Sequence, residues 1–517
     1  MSDLQPADPG PERHISRRLP QLLKKRGTGD VVAAEVGEGA RGVAVGKNIV
    51  QIGTLAIPTW ALLVLLGGVA LGVGLLGWMA FHKAKGPTTM SGLFNVAVAN
   101  FGELDSNGQM RPSQKGELLS RRLFEGLQIE FNSLPKNIQQ DFQPQVWHDS
   151  LDPAQKGATI GVIAGNTTSE QEKAACALAA RINARLVVYG NLPPPGSPID
   201  FIPQVAVCNN SQLRIDADEI VGGHQPGGGV PASLLALLNQ PNVETSVNIK
   251  LNTWSNTFSA FTIGVMYDLQ GRTDLALKVF QQAQDELKSN TRKESEVLWF
   301  FIGREHLLLN QDDEAEKAFQ QALNVNDQYA RARLGLGTVY KDRAEALEPI
   351  QRASTPDLQN AIDQYQQALQ GAATSPGALV DVKASLGLAT TSLLKGEMQR
   401  DQGDLSAATD SFSSALQLAQ AAQAPLVNSK EFRSLAQAYL TEGAAYHELA
   451  QLKLTAGENQ ASQDLLNKAI DAYEQCKAQA KAAPADTVLS EQVVGQLCIP
   501  YQQFAQDALK KLQGGKP

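Results

Sequence analysis

The sequence predicts a multidomain chain: a single transmembrane helix, then a small α/β domain, then an all-α solenoid of repeated helix pairs. Three observations predict it. No charged residue lies between Lys47 and His82, strand-like and helix-like segments alternate from Leu93 to Lys250, and one spacing of small and aromatic residues recurs five times after Trp254. At 517 residues the chain is several times the size of a usual domain, so several packed units are expected. The 45 Lys and Arg against 53 Asp and Glu leave a formal charge of -8, which gives no pull toward nucleic acid.

Residues 1–54 form a basic tail. Val43, Val45, Ile49 and Ile52 around Gly46 and Lys47 predict a short β-hairpin. The run Gly42 to Asn48 has the outline of a phosphate loop, but its glycines stand one residue too close and Asn48 replaces the magnesium-binding hydroxyl, so no nucleotide site is expected.

Residues 55–82 carry the transmembrane helix. Trp60 to Phe81 is 22 uncharged, mostly apolar residues, enough to cross about 30 Å of hydrocarbon with every backbone hydrogen bond made within the helix. Trp60 and Trp78 fall about 27 Å apart at helical rise, near the two interfaces that indole rings prefer. The apolar run is longer than a signal-peptide core and begins too late for one, so it reads as an anchor. Eight Lys or Arg precede it and only Lys83 and Lys85 closely follow it, which favours a cytoplasmic tail and an extracytoplasmic C-terminal part; close to the span the two sides balance. Gly68 and Gly72 form a small-xxx-small pair through which two copies could meet.

Residues 93–250 are expected to form the α/β domain. Phe94, Val96 and Val98 alternate with smaller or polar residues as a strand, and Leu119, Leu123, Leu127 and Phe131 repeat at helical spacing. Ile160 to Ile163 reads as a strand, Ser169 to Asn183 as a helix and Leu186 to Tyr189 as a strand; Pro203 to Val207 and the alternating Val247, Ile249 and Leu251 are further strand candidates. Phe94-Asn-Val-Ala-Val-Ala-Asn-Phe101 and Ala179 to Gly190 resemble the N-terminal α/β domain of TolB-like extracytoplasmic proteins. That resemblance implies protein contacts and no chemistry, and the propeller blades that follow in that family have no sign here.

Catalysis finds little support. His148, Asp149 and Ser150 are triad residue types, but adjacent side chains on a strand face opposite ways and form no relay. Gly222 to Gly229 reads as a plain glycine-rich loop, and the six histidines include no HExxH pattern. No catalytic, cofactor-binding or metal-ligating residue is expected.

Residues 255–515 are the helical repeats. The word Ala-x3-aromatic-x2-small occurs as Ala276/Phe280/Ala283, Ala315/Phe319/Ala322, Ala361/Tyr365/Ala368, Ala408/Phe412/Ala415 and Ala469/Tyr473/Cys476. Small residues let helices approach while the ring fills the groove beside them. Ahead of it stand Ile263-Gly264 with Tyr267, Ile302-Gly303 with His306 and Leu336-Gly337 with Tyr340, the last two glycines 34 residues apart. Trp299-x2-Ile-Gly303-x11-Ala315-x3-Phe319-x2-Ala322 is similar to tetratricopeptide repeats, and the resemblance spans about half the chain. It implies stacked helix pairs that bind protein partners without catalysis. Extra residues after Lys341 imply a longer first helix or a loop carrying Pro349 and Pro356; long first helices are expected at Val380 to Arg400 and Phe432 to Leu454, and Val488 to Leu512 as an end cap.

Four cysteines are too few for a disulfide scaffold and lack zinc-site spacing. Cys476 holds a packing position, which favours a buried thiol; Cys476 with Cys498 or Cys176 with Cys208 can pair if that part lies outside, and four cysteines allow three connectivities. The expected function is a membrane-anchored, non-enzymatic scaffold holding protein partners through its repeats and the bilayer through Trp60–Phe81. The alternative is a small-ligand sensor or enzyme in the α/β domain, regulated by the repeats.

Overall fold

The computed structural model describes residues 88–104, 110–151, 158–194, 197–208, 220–227, 229–237, 245–291, 294–372, 379–482 and 488–514. The expected hairpin, the span Trp60–Phe81 and the Gly68/Gly72 pair lie outside the described residues. Among the described residues no helix is long and apolar enough to cross a membrane. Residues 89–150 and those from 160 onward pack as one compact unit.

The α/β region begins with β1 (Phe94–Val98), β2 (Gly102–Leu104) and β3 (Met110–Pro112), followed by α1 (Gln114–Ser133), α2 (Lys136–Phe142) and β4 (Pro144–Trp147). Then come α3 (Thr168–Ile182), β5 (Leu186–Tyr189), β6 (Asn191–Leu192), β7 (Gln204–Val207), β8 (Gly222–His224) and α4 (Ala232–Leu237). The main sheet has the order β4-β1-β5-β7-β8, and β2 sits between β3 and β6 in a small second sheet. β4, β1 and β5 run parallel, while β7 and β8 are antiparallel to their neighbours. Every residue of β1 and β5 is buried, as covered parallel strands require.

Helix α1 starts where Ser113 accepts a hydrogen bond from the Gly116 amide, and it buries Leu119, Leu123, Leu127 and Phe131 as their spacing predicts. Thr167 and Glu170 form a reciprocal capping box on α3, which ends at Asn183 in the left-handed region.

Three expectations fail in this region. Ile160 to Ile163 is not a strand; it makes one bridge, Val162 to Asn100. Gly161 and Gly165 take positive φ, and the Asp149 carboxylate accepts from the Ile160 and Gly161 amides, which removes donors a ladder needs. Gly222 to His224 is an edge strand rather than loop. Val247 to Leu251 belongs to helix α5 (Thr245–Leu269), which runs through the expected boundary between residues 250 and 255. Three alternating apolar positions are too short a run to outweigh the helical continuation into buried Trp254, Phe258, Phe261 and Val265.

Helix α5 pairs with α6 (Thr273–Thr291), α7 (Glu296–Leu308) with α8 (Asp312–Val325), and α9 (Ala330–Ala346) with α11 (Asp357–Gly371). Short α10 (Pro349–Arg352) lies between the last two, so the extra residues after Lys341 form an inserted helical turn that begins on Pro349. Two longer pairs follow: α12 (Val380–Asp401) with α13 (Leu405–Ser429), and α14 (Phe432–Thr455) with α15 (Asn459–Ala482). A π-helix (Val488–Cys498) and α16 (Ile499–Gln513), with Pro500 in its first turn, pack on α15 at the C-terminal end. The protein is thus mostly a helical-repeat solenoid with a small α/β region.

All four cysteines are paired. Cys176 of α3 bonds Cys208, which follows β7, across a Cα separation of 5.2 Å. Cys476 of α15 bonds Cys498 at the end of the π-helix across 6.0 Å. The buried-thiol reading of Cys476 is therefore corrected: the residue is buried as expected, but the cap brings a second sulfur within bonding reach.

Candidate interaction face

Each recurring word builds one clasp. Ala276, Ala315, Ala361, Ala408 and Ala469 are all fully buried, and their partner rings lie against glycines of the first helix in the same pair. Phe280 covers Gly264, Phe319 covers Gly303, Tyr365 covers Gly337, Phe412 covers Gly396 and Tyr473 covers Gly443. A Cβ on Gly303 would fall 2.8 Å from the Phe319 ring, so only glycine permits this approach. Phe319 also covers Gly335 of α9, and Tyr365 covers Gly387 of α12, so these two rings join successive pairs.

On the first helices, buried ion pairs connect neighbours. Arg304 of α7 donates to Asp268 of α5 at 2.6 Å, with Glu305 at 3.1 Å. Arg352 of α10 donates to Glu397 of α12 at 2.8 Å and to the Ala344 carbonyl at 3.1 Å. Lys383 of α12 lies 3.5 Å from Glu431, the residue before α14, and Arg400 of α12 pairs with Glu448 of α14. Lys341 bonds Asp342 at 2.5 Å and approaches Glu345 at 3.4 Å. Burial pushes the Glu345 carboxyl up to about 8; Lys341 opposes the shift, while Asp342 and Glu397 add to it. Burial likewise raises Glu448 against the pull of Arg400.

These contacts close the first-helix layer. Asp381 and Asp401 are the only exposed residues of α12. A cleft remains across α7, α9 and α12, walled by Phe300, Leu334, Val380, Arg304, Thr338 and Lys383. Arg304 and Lys383 in its wall already hold internal carboxylates.

The α/β region packs on the N-terminal pairs. Helix α1 lies on α5, with Gly126 against Ser255, and Phe142 meets Tyr267 edge-on at 6.0 Å. His224 places its ring 5.2 Å from Phe301 and 6.0 Å from Phe261, while Arg331 of α9 donates to the Val221 carbonyl at 3.0 Å. Burial, with Arg331 nearby, holds the His224 imidazole well below its usual range and hence neutral.

His148, Asp149 and Ser150 do not form a relay. His148 is fully buried, with Nε2 at 3.0 Å from Ser120 Oγ and Nδ1 at 2.8 Å from Ser150 Oγ. The Asp149 carboxylate is turned to the Ile160 and Gly161 amides, where it fixes the backbone. Among the described residues no group of three or more His, Cys, Asp or Glu is placed to hold a metal ion. The sequence offered no signal for the ion pairs between helices, whose partners lie 36 to 48 positions apart. Gly396 was readable, since it precedes Ala408 by the same twelve residues that separate Gly303 from Ala315.

Residues 297–329, covering nearly all of α7 and the whole of α8, match the tetratricopeptide repeat family model. Among solved structures, a thermophilic TPR protein of Thermus thermophilus is 20% identical, with a TM-score of 0.28 over 47% of this chain and 98% of that one. A de novo designed helical repeat protein is 17% identical, with a TM-score of 0.27 over 41% of this chain and 89% of that one. No curated protein matches the chain. The helix pair at 297–329 is thus similar to a tetratricopeptide repeat, and the pairs stacked beside it share its ring-on-glycine construction.

Proposed function

We propose that the protein is a membrane-anchored, non-enzymatic scaffold that holds protein partners on its helical repeats. The observation that carries this reading is the stack of five helix pairs, each clasped by a ring on glycine and one of them matching the tetratricopeptide model. Such arrays present extended surfaces assembled from successive units, suited to partner proteins. In this reading Trp60–Phe81 crosses the bilayer, the tail is cytoplasmic and the remainder is extracytoplasmic. The two disulfides support an oxidising compartment for the folded part.

Cross-linking of the full chain in its native membrane, followed by detergent extraction, tests the scaffold. The expected result is partner proteins joined to exposed repeat residues in stoichiometric amount. A chain that emerges alone, without cross-links to the repeats, refutes it. For orientation, an impermeant thiol reagent applied to intact cells should label Ser406→Cys on the exposed start of α13 and spare Ser16→Cys in the tail. The reverse pattern overturns the assigned orientation.

A further inference from the structure

We propose that Val221–Gly227 is a built-in occupant of the repeat array, an autoinhibitory strap that keeps the face formed by α5, α7 and α9 closed to partners. This rests on the scaffold reading and adds its regulation. The path of the segment carries the inference. Its Val221 carbonyl accepts from Arg331 of α9, its His224 ring lies on Phe301 of α7 and Phe261 of α5, and Gly227 passes over Phe258 of α5, where a Cβ would fall 3.1 Å from the ring. An extended backbone thus crosses three successive first helices in reverse order, fixed by one carbonyl and one inserted ring, as a bound extended peptide would be.

On the α/β side the segment is held as an edge strand. β8 is three residues long, two of them glycine, and pairs only with β7 at the end of the sheet. The Gly223 amide donates to Glu172, and the parallel core β4-β1-β5 is complete without the strand. His224 Nε2 donates to the Ile220 carbonyl at 2.6 Å within the segment itself, while Nδ1 is buried with no hydrogen-bond partner, so the seat on the helices leaves one ring nitrogen unsatisfied and a side chain from a partner could replace it. Displacement frees the β7 edge and the aromatic face of α5 and α7 together.

The test uses a fluorescein-labelled peptide copying Ile220–Gly227. It is titrated against the intact full chain and against a full chain whose residues 221–227 are replaced by an equal length of Gly and Ser. The expected result is saturable binding to the replaced chain, at least tenfold weaker binding to the intact one, and loss of binding when the peptide carries His224→Asp. Equal binding to both chains, or none to a replaced chain that keeps its helical circular dichroism and both disulfides, overturns the strap. Should the replaced chain fail to fold, hydrogen exchange on the intact protein decides. The Gly223 and His224 amides should exchange at least tenfold faster than those of Val96 and Val188; equal rates make the strand an inseparable part of the sheet and overturn the proposal. The scaffold reading stands or falls separately, on the cross-linking.

Discussion

Phe319→Ala is the sharpest probe of how the solenoid coheres. The Phe319 side chain is 1% exposed, and its ring lies between Gly303 of α7 and Gly335 of α9. Cβ atoms built on those glycines would approach ring carbons to 2.8 Å and 2.5 Å, so the ring is the filler between two helix pairs. Glycine has no side chain to swing into the space left by truncation, and the nearest ring, Phe300, is centred 6.1 Å away. The loss should therefore fall within the usual range for deleting a buried ring, about 3–5 kcal/mol, including the cavity. Gly335→Ala alone should cost about 1–3 kcal/mol by overpacking. In the double variant the new methyl enters the vacated space, so the combined loss should be smaller than the sum by about 1 kcal/mol. Urea unfolding followed by circular dichroism measures all three, with hydrogen exchange locating the change to α7, α8 and α9. A loss below about 1 kcal/mol for Phe319→Ala, or strict additivity in the double variant, refutes the clasp.

Other predictions follow from the same packing. Glu397→Gln strips the buried Arg352 guanidinium of its carboxylate at 2.8 Å and should cost about 3–5 kcal/mol, read as a lowered denaturation midpoint. The folded chain keeps a proton on Glu345 up to about pH 8, while the unfolded chain releases it near 4.5, so stability from this group falls as pH rises through that window. Glu345→Gln should flatten the decline in melting temperature across that range. Cys498→Ser opens a link between residues 22 apart and should cost about 3 kcal/mol, with α16 the first segment to gain exchange.

What the sequence disclosed depended on how local each constraint was. The recurring words were legible because the ring and small residues of each sit within one helix and the first three glycines repeat at recognisable positions, whereas the seating of each ring on a glycine of the other helix is a tertiary contact. Buried β1 and the leucine stripe of α1 were legible for the same reason. β4 was missed because Pro144 and Gln145 dilute a four-residue strand whose burial comes from packing beside β1. β8 was missed because glycines carry no hydropathy signal, and its pairing depends on β7, fifteen residues and more upstream. The Ile160–Ile163 expectation failed on Asp149, a tertiary partner that competes for the backbone amides. The cystines were legible only as permitted pairs, since bonding requires the π-helix to bring Cys498 back onto α15.

A one-dimensional stack ordinarily frays from its termini, where a unit has a neighbour on one side only. Here neither terminus is bare: α1 and β8 cover the first pair, and a cystine fastens the closing helix onto the last. The easiest place to breach the array therefore moves inward, and the irregular point there is the single turn of α10 between α9 and α11, which Arg352 ties to the Ala344 carbonyl and to Glu397. Mechanical load or a protease should find that joint before either end, and the chain should come apart as two halves rather than peel.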